Sequence, residues 1–280
     1  NFVYKINKNS GEVKWHVSFR APIRGNGGII GDNLTILTVD NCLHVINIQD
    51  GNSVWTYQNG INEIIGSYDV SPAILDNMII APFSNGELIA FDEEGKKLWS
   101  KKLSINILDT QLTDIITTPK IHNDIVVAAN NSYVYAFNVK SGNVLWSKQL
   151  QVKSMSNIES NYSPLIKKQR EGGRVFIITK DNEIIGLDVR NGEVIWSSDL
   201  IKKMQLKSNT YFSSAVYAHT LWILSSSGFI LAFPGFDNGG KIIKIPEGVF
   251  HLPVFKFHEI FFTTKQGGVF SLENKFVLYD

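Results

Sequence analysis

The side chains able to do chemistry in this chain are scattered. Six histidines (His16, His44, His122, His219, His251 and His258) share no spacing that would gather them on a zinc ion. The single cysteine, Cys42, rules out an internal disulfide and any pair of adjacent thiols. It stands in the alternating run Cys42-Leu43-His44-Val45-Ile46, where a small buried residue fits better than a reactive thiol. Acidic residues such as Asp50, Glu93 and Glu94 fall in turn-like stretches and read as exposed. A calcium site would need several oxygens converging at roughly 2.3–2.6 Å, and no acidic cluster suggests one. Arg24-Gly25-Asn26-Gly27-Gly28 is glycine-rich, yet it lacks the Lys-Ser/Thr of a phosphate loop and precedes a strand. Ser225-Ser226-Ser227 reads as a strand-to-strand turn, and no G-x-S-x-G elbow occurs. The expectation is a protein with no catalytic residue, no metal ligand and no cofactor.

Composition narrows the class further. The chain has 280 residues, 44% of them hydrophobic, which is ample for a core and argues against disorder. Its 27 basic and 26 acidic residues leave a net charge of +1, so the whole-chain charge favours neither nucleic acid nor an anionic membrane. The basic cluster Lys167-Lys168-Gln169-Arg170 precedes Glu171-Gly172-Gly173 and reads as a solvated turn. No apolar run approaches the ~18 residues of a membrane-spanning helix, and no signal peptide is present.

The elements that would position any site are set by a repeat. A glycine precedes a tryptophan by four residues at Gly11/Trp15, Gly51/Trp55, Gly95/Trp99, Gly142/Trp146 and Gly192/Trp196. Successive tryptophans are 40, 44, 47 and 50 residues apart. That period, filled with short alternating strands, predicts a β-propeller of four-stranded antiparallel blades. One blade reads as strands Tyr68 to Leu75, Met78 to Pro82, Glu87 to Asp92 and a last one entered through Leu98-Trp99, with turns at Asp76-Asn77 and Glu93-Glu94-Gly95. The first turn recurs at Asp32-Asn33, Asn123-Asp124, Gly172-Gly173, Ala218-His219 and Phe257-His258.

Glycine supplies the left-handed backbone of the second turn. The tryptophan is expected to lie across the neighbouring blade, donating its indole N–H to a carbonyl. Two later repeats drift: Phe229 to Ile243 inserts Pro234-Gly235-Phe236-Asp237 and lacks the tryptophan, and Val269 to Asp280 keeps only part of the pattern. The count is about six full blades plus two N-terminal strands, all in one domain over residues 1–280. Half a blade does not close a ring, so the chain is expected to be the C-terminal part of a protein of seven or eight blades.

Ala90-Phe91-Asp92 with Gly95 and Trp99, Ala136-Phe137-Asn138 with Gly142 and Trp146, and Gly186-Leu187-Asp188 with Gly192 and Trp196 resemble the repeat of the PQQ-like propeller family. Within it, Ile23-Arg24-Gly25 is similar to the Leu-Arg-Gly loop by which the BamB lipoproteins meet the POTRA domains of their partner BamA. Ser67-Tyr68-Asp69-Val70-Ser71-Pro72 is similar to the Asp-x-Asp-x-x-Pro segment one blade later, with Ser67 in place of the first aspartate. The resemblance implies a non-catalytic periplasmic scaffold for outer-membrane protein assembly, tethered by a lipid anchor outside this chain. It also implies partner contacts at Ile23, Arg24, Gly25, Ser67 and Asp69. The same family contains PQQ-dependent quinoprotein dehydrogenases, the alternative reading. Their alcohol-oxidising members carry the vicinal cysteine pair that one cysteine cannot supply.

Overall fold

The computed structural model describes residues 1–60, 70–103, 114–160, 173–207, 210, 212–236, 240–245, 247–249, 253–256, 259–264 and 266–273. They group into two compact units, Asn1–Gln149 and Leu150–Asp280. The first unit opens with a two-stranded sheet, Phe2–Ile6 paired antiparallel with Val13–Ser18. Three four-stranded meanders follow. The first sheet is Gly28–Ile30, Asn33–Leu37, Cys42–Asn47 and Ser53–Gln58; the second is Ala73–Leu75, Met78–Pro82, Glu87–Asp92 and Lys97–Lys102; the third is Lys120–His122, Ile125–Ala129, Tyr133–Asn138 and Val144–Gln149.

In the second unit a fourth sheet contains Gly173–Thr179, Ile184–Asp188 and Val194–Ser198, with Val152–Met155 and Glu159–Ser160 both paired to Gly173–Thr179. The fifth is Phe212–Tyr217, Thr220–Ser225, Phe229–Pro234 and Lys241–Lys244, and the sixth has Val254–Lys256, Glu259–Thr263 and Val269–Glu273. A fourth strand for this last sheet would fall in 274–280, outside the described residues, as do the turn positions Gly172, Phe257 and His258 and the basic cluster 167–170. The inner strand predicted from Tyr68 begins at Ala73 within the described residues.

Alternation decides what is buried. The middle strands of the second sheet meet a neighbouring sheet on both faces, so Met78–Pro82 and Glu87–Asp92 are nearly continuous apolar runs, as expected for doubly covered strands. Within each unit the core is therefore a series of layers between successive sheets. One such layer joins Leu43 and Val45 of the first sheet to Ile79, Phe83 and Phe91 of the second.

The glycine–tryptophan pairs explain how these layers lock. All five turn glycines have positive φ, from +67° at Gly142 to +87° at Gly95. Each of three tryptophans lies against the turn glycine of the next sheet, not its own: Trp15 on Gly51, Trp55 on Gly95 and Trp99 on Gly142. Its indole N–H donates to a carbonyl of that turn or its approach, Trp15 to Ile48 at 3.0 Å, Trp55 to Glu93 at 2.8 Å and Trp99 to Val139 at 2.8 Å. Glycine is thus required twice, by the backbone and by the ring that covers it. A β-carbon on Gly95 would stand 2.8 Å from the Trp55 ring.

Where the repeat drifts, the lock changes. Trp196 meets Phe233 edge-on at 5.4 Å in place of a turn glycine, and its buried indole nitrogen has no hydrogen-bond partner among the described residues. Phe236, from the inserted turn, stacks on Phe176 at 4.9 Å and closes the gap.

Two outcomes follow. Gly95→Ala will cost more than Gly11→Ala, where nothing lies within 4 Å of the added carbon. The backbone penalty of about 1–2 kcal/mol is common to both, and overpacking against the indole adds roughly 1–3 kcal/mol at Gly95. Urea midpoints of the two variants measure the difference. Trp196→Phe will cost less than Trp55→Phe, because only the second breaks a hydrogen bond; the same titration checks it.

Candidate functional site: the loops leading into the sheets of the first unit

Before the inner strands of the first and third sheets the chain forms a short stub along a neighbouring strand. Ile23 forms an isolated antiparallel bridge with Thr38, and Arg24 N–H donates to Leu37 O at 2.7 Å. Ile115 bridges Asn130 in the same way, and Ile116 N–H donates to Ala129 O. These stubs turn the loop side chains inward, and Arg24 uses its length to cross from one sheet's lead-in to two others.

Its guanidinium is buried, with 1% of the side chain exposed. Nη2 lies 3.1 Å from Asp114 Oδ1, whose side chain is 9% exposed, and donates to Ile115 O at 2.9 Å. Nη1 donates to Pro82 O at 3.4 Å. The carboxylate that meets the Arg24 guanidinium in this structure is this chain's own Asp114. Burial makes the pairing obligatory, because an unpaired charge there would carry its full desolvation penalty.

Gly25 follows at φ +68°, and a β-carbon on it would stand 2.7 Å from Ser71 Oγ and the Val70 carbonyl. Asn26 N–H donates to Ser71 Oγ at 2.7 Å, and Ser71 N–H donates to Thr118 Oγ1 at 3.0 Å. The two stretches singled out in the sequence therefore touch: Gly25 and Asn26 rest on Val70 and Ser71. Ile23 is half-buried. Ser67 and Asp69 lie outside the described residues. Sequence reasoning missed Asp114, whose only signal is its place one residue before the apolar start of a lead-in stub. The neighbouring Arg20, Pro22 and Asn26 are exposed.

On the same lead-in side, the turn Thr38 to Cys42 encloses a polar cluster. Burial, with the charge of Asp40, pushes the Cys42 thiol up to about 11, so it is protonated and unreactive at neutral pH. His44 is held below its ordinary value by burial, against the opposing pull of Asp40. Its ring nitrogen Nε2 lies 3.3 Å from Thr38 Oγ1. Among the described residues no three His, Cys, Asp or Glu side chains are placed to hold a metal ion, and no helix is long and apolar enough to cross a membrane.

Repeated four-stranded meanders, those of the first unit clasped through tryptophans and joined at their lead-in loops, define a β-propeller of PQQ-like blades. A family model described as "Outer membrane protein assembly factor BamB" matches residues 1–158 and again 114–275, and the chain belongs to that family. BamB of Yersinia pestis is 24% identical over 255 residues, 85% of this chain and 60% of that protein. BamB of Nitrosomonas eutropha is 27% identical over 154 residues, 53% of this chain and 36% of that one. The chain thus spans less than two thirds of these relatives' length. The crystal structure of BamB from Moraxella catarrhalis superposes with a TM-score of 0.77 at 15% identity, covering 97% of this chain and 78% of that one. A quinohemoprotein alcohol dehydrogenase from Pseudomonas putida reaches 0.57 at 12% identity, covering 82% of this chain and 43% of that one. At such identities the structural likeness speaks for the fold alone.

The Arg24–Asp114 pair yields a stability prediction. Arg24→Met will destabilise by about 3–5 kcal/mol, since it strands a buried carboxylate. Adding Asp114→Asn to that variant will recover part of the loss, and the double-mutant cycle from urea titrations gives the coupling. Additive losses would mean that the two side chains act independently.

Proposed function

We propose that this chain is the propeller of a non-catalytic scaffold that serves outer-membrane protein assembly from the periplasmic side of the membrane. The observation carrying this reading is the family match, which spans residues 1–158 and 114–275. The relatives quoted above are named as assembly factors. The partner is the POTRA region of a BamA-type protein, and the tether is a lipid anchor outside this sequence. Residues 1–280 act as one domain in this reading.

The contact surface in this proposal is the lead-in face around Ile23 and Gly25, together with Ser67 and Asp69. Arg24 serves it from inside. Held by Asp114, Ile115 and Pro82, it fixes the loop whose exposed members, Arg20, Pro22 and Asn26, are free to meet a partner. Arg20 is the exposed cation of that loop and takes the role of pairing with a partner carboxylate. Such recognition needs shape and a few charges, and no reacting group.

The test is calorimetric titration of the protein with purified BamA-type POTRA domains. Saturable binding is expected, about tenfold weaker in Arg20→Glu at low salt and converging with the parent as salt screens the charge. Arg20→Glu is exposed and will leave the urea midpoint unchanged. No binding by a folded protein would remove the POTRA reading; binding unaffected by Arg20→Glu would remove this residue from the interface.

A further inference from the structure

The near-zero net charge conceals a segregation. In the first unit the outermost strands are Val13–Ser18, Ser53–Gln58, Lys97–Lys102 and Val144–Gln149. Together they carry five lysines (Lys14, Lys97, Lys101, Lys102 and Lys148) and no aspartate or glutamate. Each of the last three ends a four-stranded sheet and, among the described residues, is hydrogen-bonded on one side only. Lys97–Lys102 carries three of the five lysines. It has a β-bulge at Leu98, whose side chain is 44% exposed, and then runs in regular register from Trp99↔Ala90 to Lys102↔Glu87. Glu87, the one acid in register with this edge, has its carboxylate occupied by Asn85 at 3.1 Å and Ser100 at 3.1 Å.

An open edge with unpaired N–H and C=O groups is a template for another strand. Lysines and bulges guard such edges, but the guard is selective by charge. A second lysine-bearing edge is repelled, whereas a strand carrying carboxylates is attracted. The exposed Leu98 supplies an apolar contact beside the charges.

We infer that the Lys97–Lys102 edge takes an extended acidic polypeptide segment as an added strand of the second sheet. Main-chain hydrogen bonds hold it, and Lys97, Lys101 and Lys102 select its charge. This does not depend on the POTRA reading, which concerns the lead-in loops.

The test uses the 280-residue chain and fluorescent peptides of about eight residues, long enough for one strand. One alternates valine with glutamate, a second alternates valine with lysine, and a third is the glutamate peptide N-methylated at alternate amides. Anisotropy should show binding of the first alone. The triple variant Lys97→Glu, Lys101→Glu, Lys102→Glu should bind the glutamate peptide about tenfold more weakly or worse, with an unchanged melting temperature. The proposal is overturned if no peptide binds, if the lysine peptide binds as well, if N-methylation has no effect, or if the triple variant binds normally. Capture by phosphatidylglycerol vesicles without peptide binding would also overturn it, and assign the lysines to an anionic lipid surface.

Discussion

Everything in the first unit hangs on a contact between an indole ring and a glycine in the following sheet. A four-stranded sheet alone exposes two apolar faces, and only a neighbour on each side covers them. The tryptophan fixes how far apart and at what angle successive sheets sit. It lies flat on a turn that has no side chain and is tied to it by an indole N–H bond of about 2.8–3.0 Å. The glycine cannot be replaced without disturbing both its own turn and the ring from the preceding sheet. A periodic pair in one sequence is therefore a record of contacts between different repeats.

The inner ends of the same sheets are fastened by different chemistry. There the backbone stubs leave room for polar groups, and the lock is a single buried arginine joined to one carboxylate and two carbonyls, with Ser71 and Thr118 linking the adjacent segments. The tryptophan contact repeats, whereas the arginine lock, seen once among the described residues, joins the lead-ins of the first and third sheets to the end of a strand of the second. Apolar packing tolerates drift, as Phe233 and Phe236 show around Trp196. A buried ion pair does not, because loss of either partner leaves a charge without solvent.

Much of this was legible in the sequence. Short apolar runs bounded by turn residues located the strands Met78–Pro82 and Glu87–Asp92 to the residue, and the glycine spacing gave the left-handed turns. The orientation of Arg24 was not legible. Ile-Arg-Gly is a loop motif by composition, and arginine is a surface residue by default. Its burial depends on Asp114, ninety positions later, and no local pattern connects them. The same holds for Gly25, which residues distant in sequence confine: a β-carbon there would meet Val70 and Ser71. Local rules predict elements; partners distant in sequence decide which side of a loop faces water.

The tryptophan contact also has a consequence at the opposite edge of each sheet. In every one of the five repeats the register slips immediately before the ring, at Lys14, Val54, Leu98, Leu145 and Ile195. That extra residue adds local twist, which accompanies the turn of the ring onto the neighbouring sheet. The bulge residue is left unpaired and outward, so four of the five repeats expose an aliphatic side chain there. An outer strand that is partly apolar and open on one side would invite association with any similar strand, which the bulge only partly discourages. Three of the four outer strands of the first unit carry lysine and none of the four carries an acid, which leaves anionic chains as the class these edges do not repel. Packing between sheets and charge at their outer edges are in this way two ends of one constraint.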